Sequence, residues 1–261
     1  MSITKMKIDN IYHCCVHKTG SQWIKAILSD ETVLKKTGMT LYTYQKHLPT
    51  KGDPRKLTER IFEHPFPGNC IVSPLYMDYN SYDSIPKPGS YKTFCIIRDP
   101  RDIIVSWYFS VKYSHPLMGK IPRHREILHQ LSLSRGLIYC IEYLHDFGLF
   151  DSLKSWINIP ANDSHIKVFP FEDIVDVNRQ FTVISELFSH CHISLDTNET
   201  RHLLHKYHFQ QLQKKESGKS TNISHYRKGV PGNWKEYFDE DVTKAFEKLA
   251  GKLVDELGYK A

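Results

Sequence analysis

The chain has 261 residues, 40% hydrophobic and 25% charged, with 35 basic against 29 acidic side chains and a formal net charge of +6. That length suits one α/β domain spanning 1–261. The mild, dispersed charge excludes a nucleic-acid-binding arm or a membrane-binding tail but allows an anion in a local basic pocket. Six cysteines at 14, 15, 70, 95, 140 and 191 form no CxxC pair and no apolar run reaches bilayer length, so reduced thiols in a soluble cytoplasmic protein are expected.

The first predicted strand, Ile11–Val16, runs into His17-Lys18-Thr19-Gly20-Ser21-Gln22-Trp23 and a helix over Ser21–Ser29. Such a corner is an anion cradle. The first N–H groups of a helix lack partners within it, the helix dipole favours negative charge, and Lys18 adds a full positive one. Trp23 sets a flat ring beside the anion, which points to a phosphorylated nucleotide. A looser stretch with Tyr42, Tyr44, His47, Leu48 and Pro49 follows; with Tyr76, Tyr79 and Tyr82 its side chains read as an aromatic mouth.

Short apolar strands are predicted at Cys70–Ser73 and Thr93–Ile97, alternating with helical patterns as in βα units of a mostly parallel sheet. After Arg98, Asp99 is placed to cap a helix with Pro100 at its first position. Arg98 thus stands at the carboxyl end of a strand, where open α/β sheets bind ligands. Ser106, eight residues on, lies about two turns into the helix and within reach of the same cavity. The other reading of Arg98-Asp99-Pro100-Arg101-Asp102 is an ion-paired surface corner. Helices are expected at Leu137–Phe147 and Leu153–Trp156, and a strand at Ile166–Phe169. Lys214–Gly232, rich in Lys, Ser and Gly, reads as a surface loop. Within it, however, Arg227-Lys228-Gly229 sets two cations beside a glycine, a pattern suited to a phosphate. Val242, Phe246, Leu249, Leu253 and Leu257 then form one apolar helical stripe that should pack on the sheet.

In order and spacing these segments resemble the sulfotransferases that use 3′-phosphoadenosine 5′-phosphosulfate (PAPS), over nearly the whole chain. Lys18-Thr19-Gly20-Ser21-Gln22-Trp23 is similar to the family's phosphosulfate loop, usually Lys-Ser-Gly-Thr-Thr-Trp. Arg98 with Ser106, in Val105-Ser106-Trp107-Tyr108, resembles its 3′-phosphate site. Arg227-Lys228-Gly229-Val230-Pro231-Gly232-Asn233-Trp234-Lys235 matches its late Arg-Lys-Gly-x-x-Gly-x-Trp-Lys signature. The resemblance implies a single α/β domain with a central parallel sheet and a P-loop-like loop. It implies transfer of a sulfuryl group from PAPS to a hydroxyl or amine of a small-molecule acceptor. No HExxH or other ligand spacing occurs, so no metal is expected, and the dispersed charge points away from nucleic acid and membrane. Lys18 would face the sulfuryl and bridging oxygens, and Thr19, Gly20, Ser21 and Gln22 would hold the 5′-phosphate. Trp23 would stack on adenine, with Tyr207 and Phe209 of Lys206-Tyr207-His208-Phe209 on its other side. Arg98, Ser106, Arg227, Lys228 and Gly229 would hold the 3′-phosphate.

One element departs from the pattern. The family's catalytic histidine sits in Lys-Thr-His-Leu-Pro at a strand end, where this chain reads Ser73-Pro74-Leu75-Tyr76-Met77-Asp78. His47 is then the first candidate for the general base, ahead of Asp78 and His17. The departure keeps open a non-catalytic relative that only binds PAPS or its product. A P-loop nucleotide enzyme is a remoter alternative, because Gly218-Lys219-Ser220 has Gln213 where the first motif glycine belongs.

Overall fold

Five strands run parallel through the centre of the molecule: β1 (Asn10–Cys15), β2 (Thr40–Tyr42), β3 (Cys70–Tyr76), β4 (Tyr91–Ile97) and β5 (Ile166–Pro170), in the order β2-β3-β1-β4-β5. The structure, a computed structural model, describes residues 8–43, 56–87, 89–208 and 230–259. Every residue of β1 is buried, as a strand flanked on both edges and covered on both faces requires. Helix α1 (Ser21–Leu28) belongs with α8 (Phe171–Val175), α9 (Gln180–His190) and α10 (Thr197–Lys206) to one apolar layer. Helices α4 (Pro100–Phe109), α6 (Leu133–Asp146), α7 (Leu149–Ile157) and α11 (Glu240–Glu256) form the other. The apolar stripe of α11, expected to pack on the sheet, packs instead mainly against α6 and α7, through Val242, Phe246, Leu253 and Val254.

The strand order turns at β1. The chain passes from β1 to β2 and β3 on one side, then crosses to β4 on the other. This is a topological switch point, and its crevice opens at the carboxyl ends of β1 and β4. Register fixes what meets there: Cys15, the last residue of β1, lies opposite Tyr76 of β3 and Ile96 of β4. The loop after β1 therefore emerges between Tyr76 and Arg98.

Strand β3 runs to Tyr76, beyond the predicted stop at Ser73, because Pro74 is accommodated where β1 and β3 shift register between Tyr12 and Cys14. The edge strand β2 and helix α2 (Glu31–Thr37) are additions to the predicted set; Asp30 caps α2 by accepting from Thr32 N at 2.8 Å. Helix α6 starts at Leu133, earlier than expected, with Ser132 as its cap. Between them lie α3 (Tyr79–Asp83) and α5 (Ile121–Gln130). Among the described residues no helix is long and apolar enough to cross a membrane. All six cysteines are free and buried.

Candidate functional site

The loop after β1 folds tightly on two residues in the left-handed region, Lys18 (φ 67°) and Gly20 (φ 74°). For lysine this conformation costs about 1 kcal/mol, a strain that persists only where the surroundings hold it. Thr19 supplies part of that hold: its buried hydroxyl donates to Val16 O at 2.9 Å. Gly20 is required twice over, by its φ and because a Cβ there would lie 2.8 Å from Phe171 Cε2. Gly20 is the N-cap of α1, no side chain caps the helix, and no acidic residue stands in its first turn. The helix start is thus left to an outside anion. Lys18 makes no ion pair among the described residues. Burial, and then the charge of Arg98, brings its ammonium down to about 8.

Arg98, directly after β4, faces this loop and donates from Nη1 to Lys18 O at 2.9 Å. Its guanidinium lies 4.4 Å over the Phe171 ring, and its buried Nε has no hydrogen-bond partner among the described residues. Burial lowers its pKa, against the opposing charges of Asp102, Glu172 and Asp99. The ion-paired reading of this corner holds instead for its neighbour. Arg101 binds the Asp99 carboxylate through Nε and Nη2 at 2.8 to 3.2 Å, and both side chains are buried. Glu172 braces the turn by accepting from Asp99 N at 3.0 Å and from the Tyr259 hydroxyl at 2.7 Å.

Asp102, read from the sequence only as part of a charged corner, anchors the end of the late signature. Its two carboxylate oxygens accept from Gly232 N (2.7 Å) and Trp234 N (2.9 Å), while Arg101 stacks 3.8 Å over the Trp234 ring. Phe109 meets Tyr237 edge-on at 5.0 Å. Ser106 lies between Asp102 and Phe109 at helical spacing, so it shares the α4 face turned toward residues 232–237. An acid in the first turn of the helix, four residues before Ser106, was the available signal.

Trp23 is only 4% exposed and sits in the apolar layer of α1, donating from Nε1 to Tyr207 O at 2.8 Å. Tyr207 in turn reaches Asp30 with its hydroxyl (3.0 Å), beside Lys206 Nζ at 2.6 Å. Trp23 is thus a core residue hydrogen-bonded to the Tyr207 backbone. His47, Phe209, Arg227, Lys228 and Gly229 lie outside the described residues, as do Tyr44 and Gly218-Lys219-Ser220.

The side chains of Ser21 and Gln22 engage protein: Ser21 Oγ and the Tyr76 hydroxyl share a hydrogen bond at 2.7 Å, and Gln22 Nε2 donates to the same hydroxyl at 3.1 Å. The Tyr76 ring stacks on His17 at 4.6 Å. Trp107 at 5.7 Å and Phe147 at 5.3 Å close around the imidazole, with Tyr143 stacked on both. Among the described residues of the predicted aromatic mouth, only Tyr76 belongs to this cluster. Tyr82 is instead fully buried with its hydroxyl on Thr93, Tyr79 packs on Trp156 at 5.7 Å, and Tyr42 meets Phe66 at 6.0 Å. Asp78, a candidate base, is a buried helix cap that accepts from Ser81 N at 3.2 Å. Trp107, Tyr143 and Phe147 escaped the sequence reading because they come from two helices that only the fold brings to the loop.

Comparison with known proteins fits this geometry. The sulfotransferase domain model matches residues 9–258. A 3-alpha-hydroxysteroid sulfotransferase of Cavia porcellus is 23% identical over 206 residues, covering 76% of this chain. The chain spans 62% of the length of that relative, which is under two thirds. A mouse sulfotransferase complexed with PAP superposes with a TM-score of 0.60 at 18% identity, over 94% of this chain and 84% of the other. Retinol dehydratase, in complex with androsterone and inactive cofactor PAP, gives 0.55 at 16% identity, over 97% and 82%. At such identities the likeness establishes the fold, a single α/β unit around a parallel sheet.

Proposed function

The chain belongs to the sulfotransferase domain family, and from that membership we propose that it moves a sulfuryl group from PAPS to a hydroxyl or amine of a small-molecule acceptor. The observation that carries this reading is the pair of cations at adjacent strand ends. Lys18 and Arg98 are tied by one hydrogen bond, and neither has an acid partner among the described residues. Two phosphates on one nucleotide need two such centres, and the orphaned buried Nε of Arg98 asks for an acceptor. PAPS supplies the activated sulfuryl group. Lys18 and the uncapped start of α1 would hold its 5′ side; Arg98 and Ser106, with Arg227, Lys228 and Gly229, would hold the 3′-phosphate. Trp23, Tyr207 and Phe209 would border the adenine. In-line transfer through a loose transition state leaves positioning and charge neutralisation as the main tasks, and these residues perform both without a metal. We place the activity in one domain spanning 1–261, in the cytoplasm, where six buried thiols stay reduced.

Incubation with PAPS and a panel of phenols, alcohols and amines tests this reading. The expected result is formation of 3′-phosphoadenosine 5′-phosphate (PAP) together with a sulfated acceptor, unchanged by a chelator. Absence of PAP binding by calorimetry would remove the reading. Tight PAP binding with no transfer to any acceptor would favour the non-catalytic relative instead.

A further inference from the structure

Resting on the sulfotransferase reading, we propose that His17, on the loop itself, is the residue that takes the proton from the acceptor. The strand end that should carry a base offers none: Asp78 is engaged as a helix cap, and the β3 terminus presents the Tyr76 phenol, whose oxygen is already shared with Ser21 and Gln22. His17 sits immediately before Lys18 and half-buried. Its ring nitrogens make no hydrogen bond with a described residue.

A second imidazole shows what a structural histidine looks like in this fold. His13, fully buried in β1, has Nδ1 at 2.8 Å from Ser73 Oγ and its Nε2 shut in the core, with its ring stacked on Phe94 at 4.8 Å. Burial holds both rings neutral, each at about 3. Titration therefore does not distinguish them, but access does: only His17 can meet a ligand beside Lys18.

The surroundings of His17 suit the task. The Tyr76, Trp107 and Phe147 rings pack around the imidazole and fix its plane. After burial, the charges that lower its pKa are those of Lys18 in the same loop, Arg60 behind Tyr76, and His115 on the far side of Trp107. An anion seated on Lys18 offsets these cations and raises the proton affinity of His17 when donor is present. The proton then passes from the acceptor oxygen to a ring nitrogen of His17 as that oxygen bonds to sulfur. The electron pair of the broken sulfur–oxygen bond leaves with the 5′-phosphate, toward Lys18.

His17→Gln separates this role from a structural one. In His17→Gln, PAP affinity by calorimetry stays within about twofold of wild type, because neither phosphate centre is touched, while transfer to cyclohexanol falls at least ~100-fold. Transfer to 4-nitrophenol, which ionises near neutral pH, falls less than about tenfold, because an acidic acceptor needs little help. With PAP bound and 4-nitrophenol added, the His17 ring nitrogen resonance moves in the wild type. An equal loss with both acceptors, no loss, or an unmoved resonance would overturn the assignment and leave the sulfotransferase reading standing. A wild-type protein that neither binds PAP nor consumes PAPS would end both.

Discussion

Two strand-to-helix corners sit side by side at the carboxyl edge of the sheet, and they handle charge in opposite ways. After β1, Lys18 stands in a strained left-handed conformation with no acid partner among the described residues, and α1 starts without a side-chain cap. After β4, three acids crowd the turn and each is used. Asp99 neutralises Arg101, Asp102 anchors Gly232 and Trp234, and Glu172 braces Asp99 and Tyr259. Arg98 alone is left over, and it leans across to the first corner. One corner is built around an open centre of positive charge; the other is a framed support that delivers a single cation to it. The difference teaches that burial does not separate the two arginines, which are equally buried and three residues apart; what separates them is that Arg101 has an acid partner and Arg98 has none among the described residues.

The contrast breaks first at Lys18. Lys18→Met removes the only full charge of the β1 corner, and PAPS turnover is expected to fall about 10³-fold, the scale of losing a principal charge-stabilising group. The same change should stabilise the unliganded protein. Burial holds the folded-state pKa of Lys18 at about 8, below its unfolded value, so below about pH 8 the charged lysine works against the fold. That penalty fades as pH rises from about 8 to about 10.5, where both states are neutral. At pH 7 the variant should therefore gain ~1–2 kcal/mol over wild type, and the gain should vanish near pH 10.5 in paired denaturation curves. A destabilised Lys18→Met at pH 7 would show that the corner is structural.

A smaller effect sharpens the geometric side. Gly20→Ala puts a Cβ into the left-handed cap position and against Phe171, the ring on which Arg98 rests. Strain and overpacking together should cost about 2 kcal/mol, a loss of about 4–8 °C in Tm. PAP affinity should fall as well, because the clash disturbs both corners. An unchanged Tm would mean that the Phe171 contact does not hold the loop.

Much of this arrangement was legible in the sequence, and the reasons differ by element. The β1 loop and the Arg98 corner announce themselves because strand, turn and helix start are contiguous, so local rules place their charges. The α11 stripe was legible for the same reason, through its helical spacing. The strand end at Tyr76 was not: Pro74 breaks the β pattern, and only pairing with β1 carries the strand past it. Nor was the ring cluster around His17, whose members Tyr76, Trp107 and Phe147 lie on three separate elements. Tyr79 and Tyr82 misled because a short helix beside a buried strand looks, in sequence, like an aromatic surface; burial alone separates the two.

The central claim is that the two corners form one site for a nucleotide with two phosphates, Arg98 serving the 3′ one. Calorimetric titration of Arg98→Ala with PAP and with adenosine 5′-phosphate, which lacks the 3′-phosphate, tests it most directly. The wild type should prefer PAP by at least ~100-fold, the discrimination expected of a charge-assisted contact to a buried guanidinium. Arg98→Ala should bind the two nucleotides almost equally, while its affinity for adenosine 5′-phosphate stays near the wild-type value. A variant that still strongly prefers PAP would contradict the account.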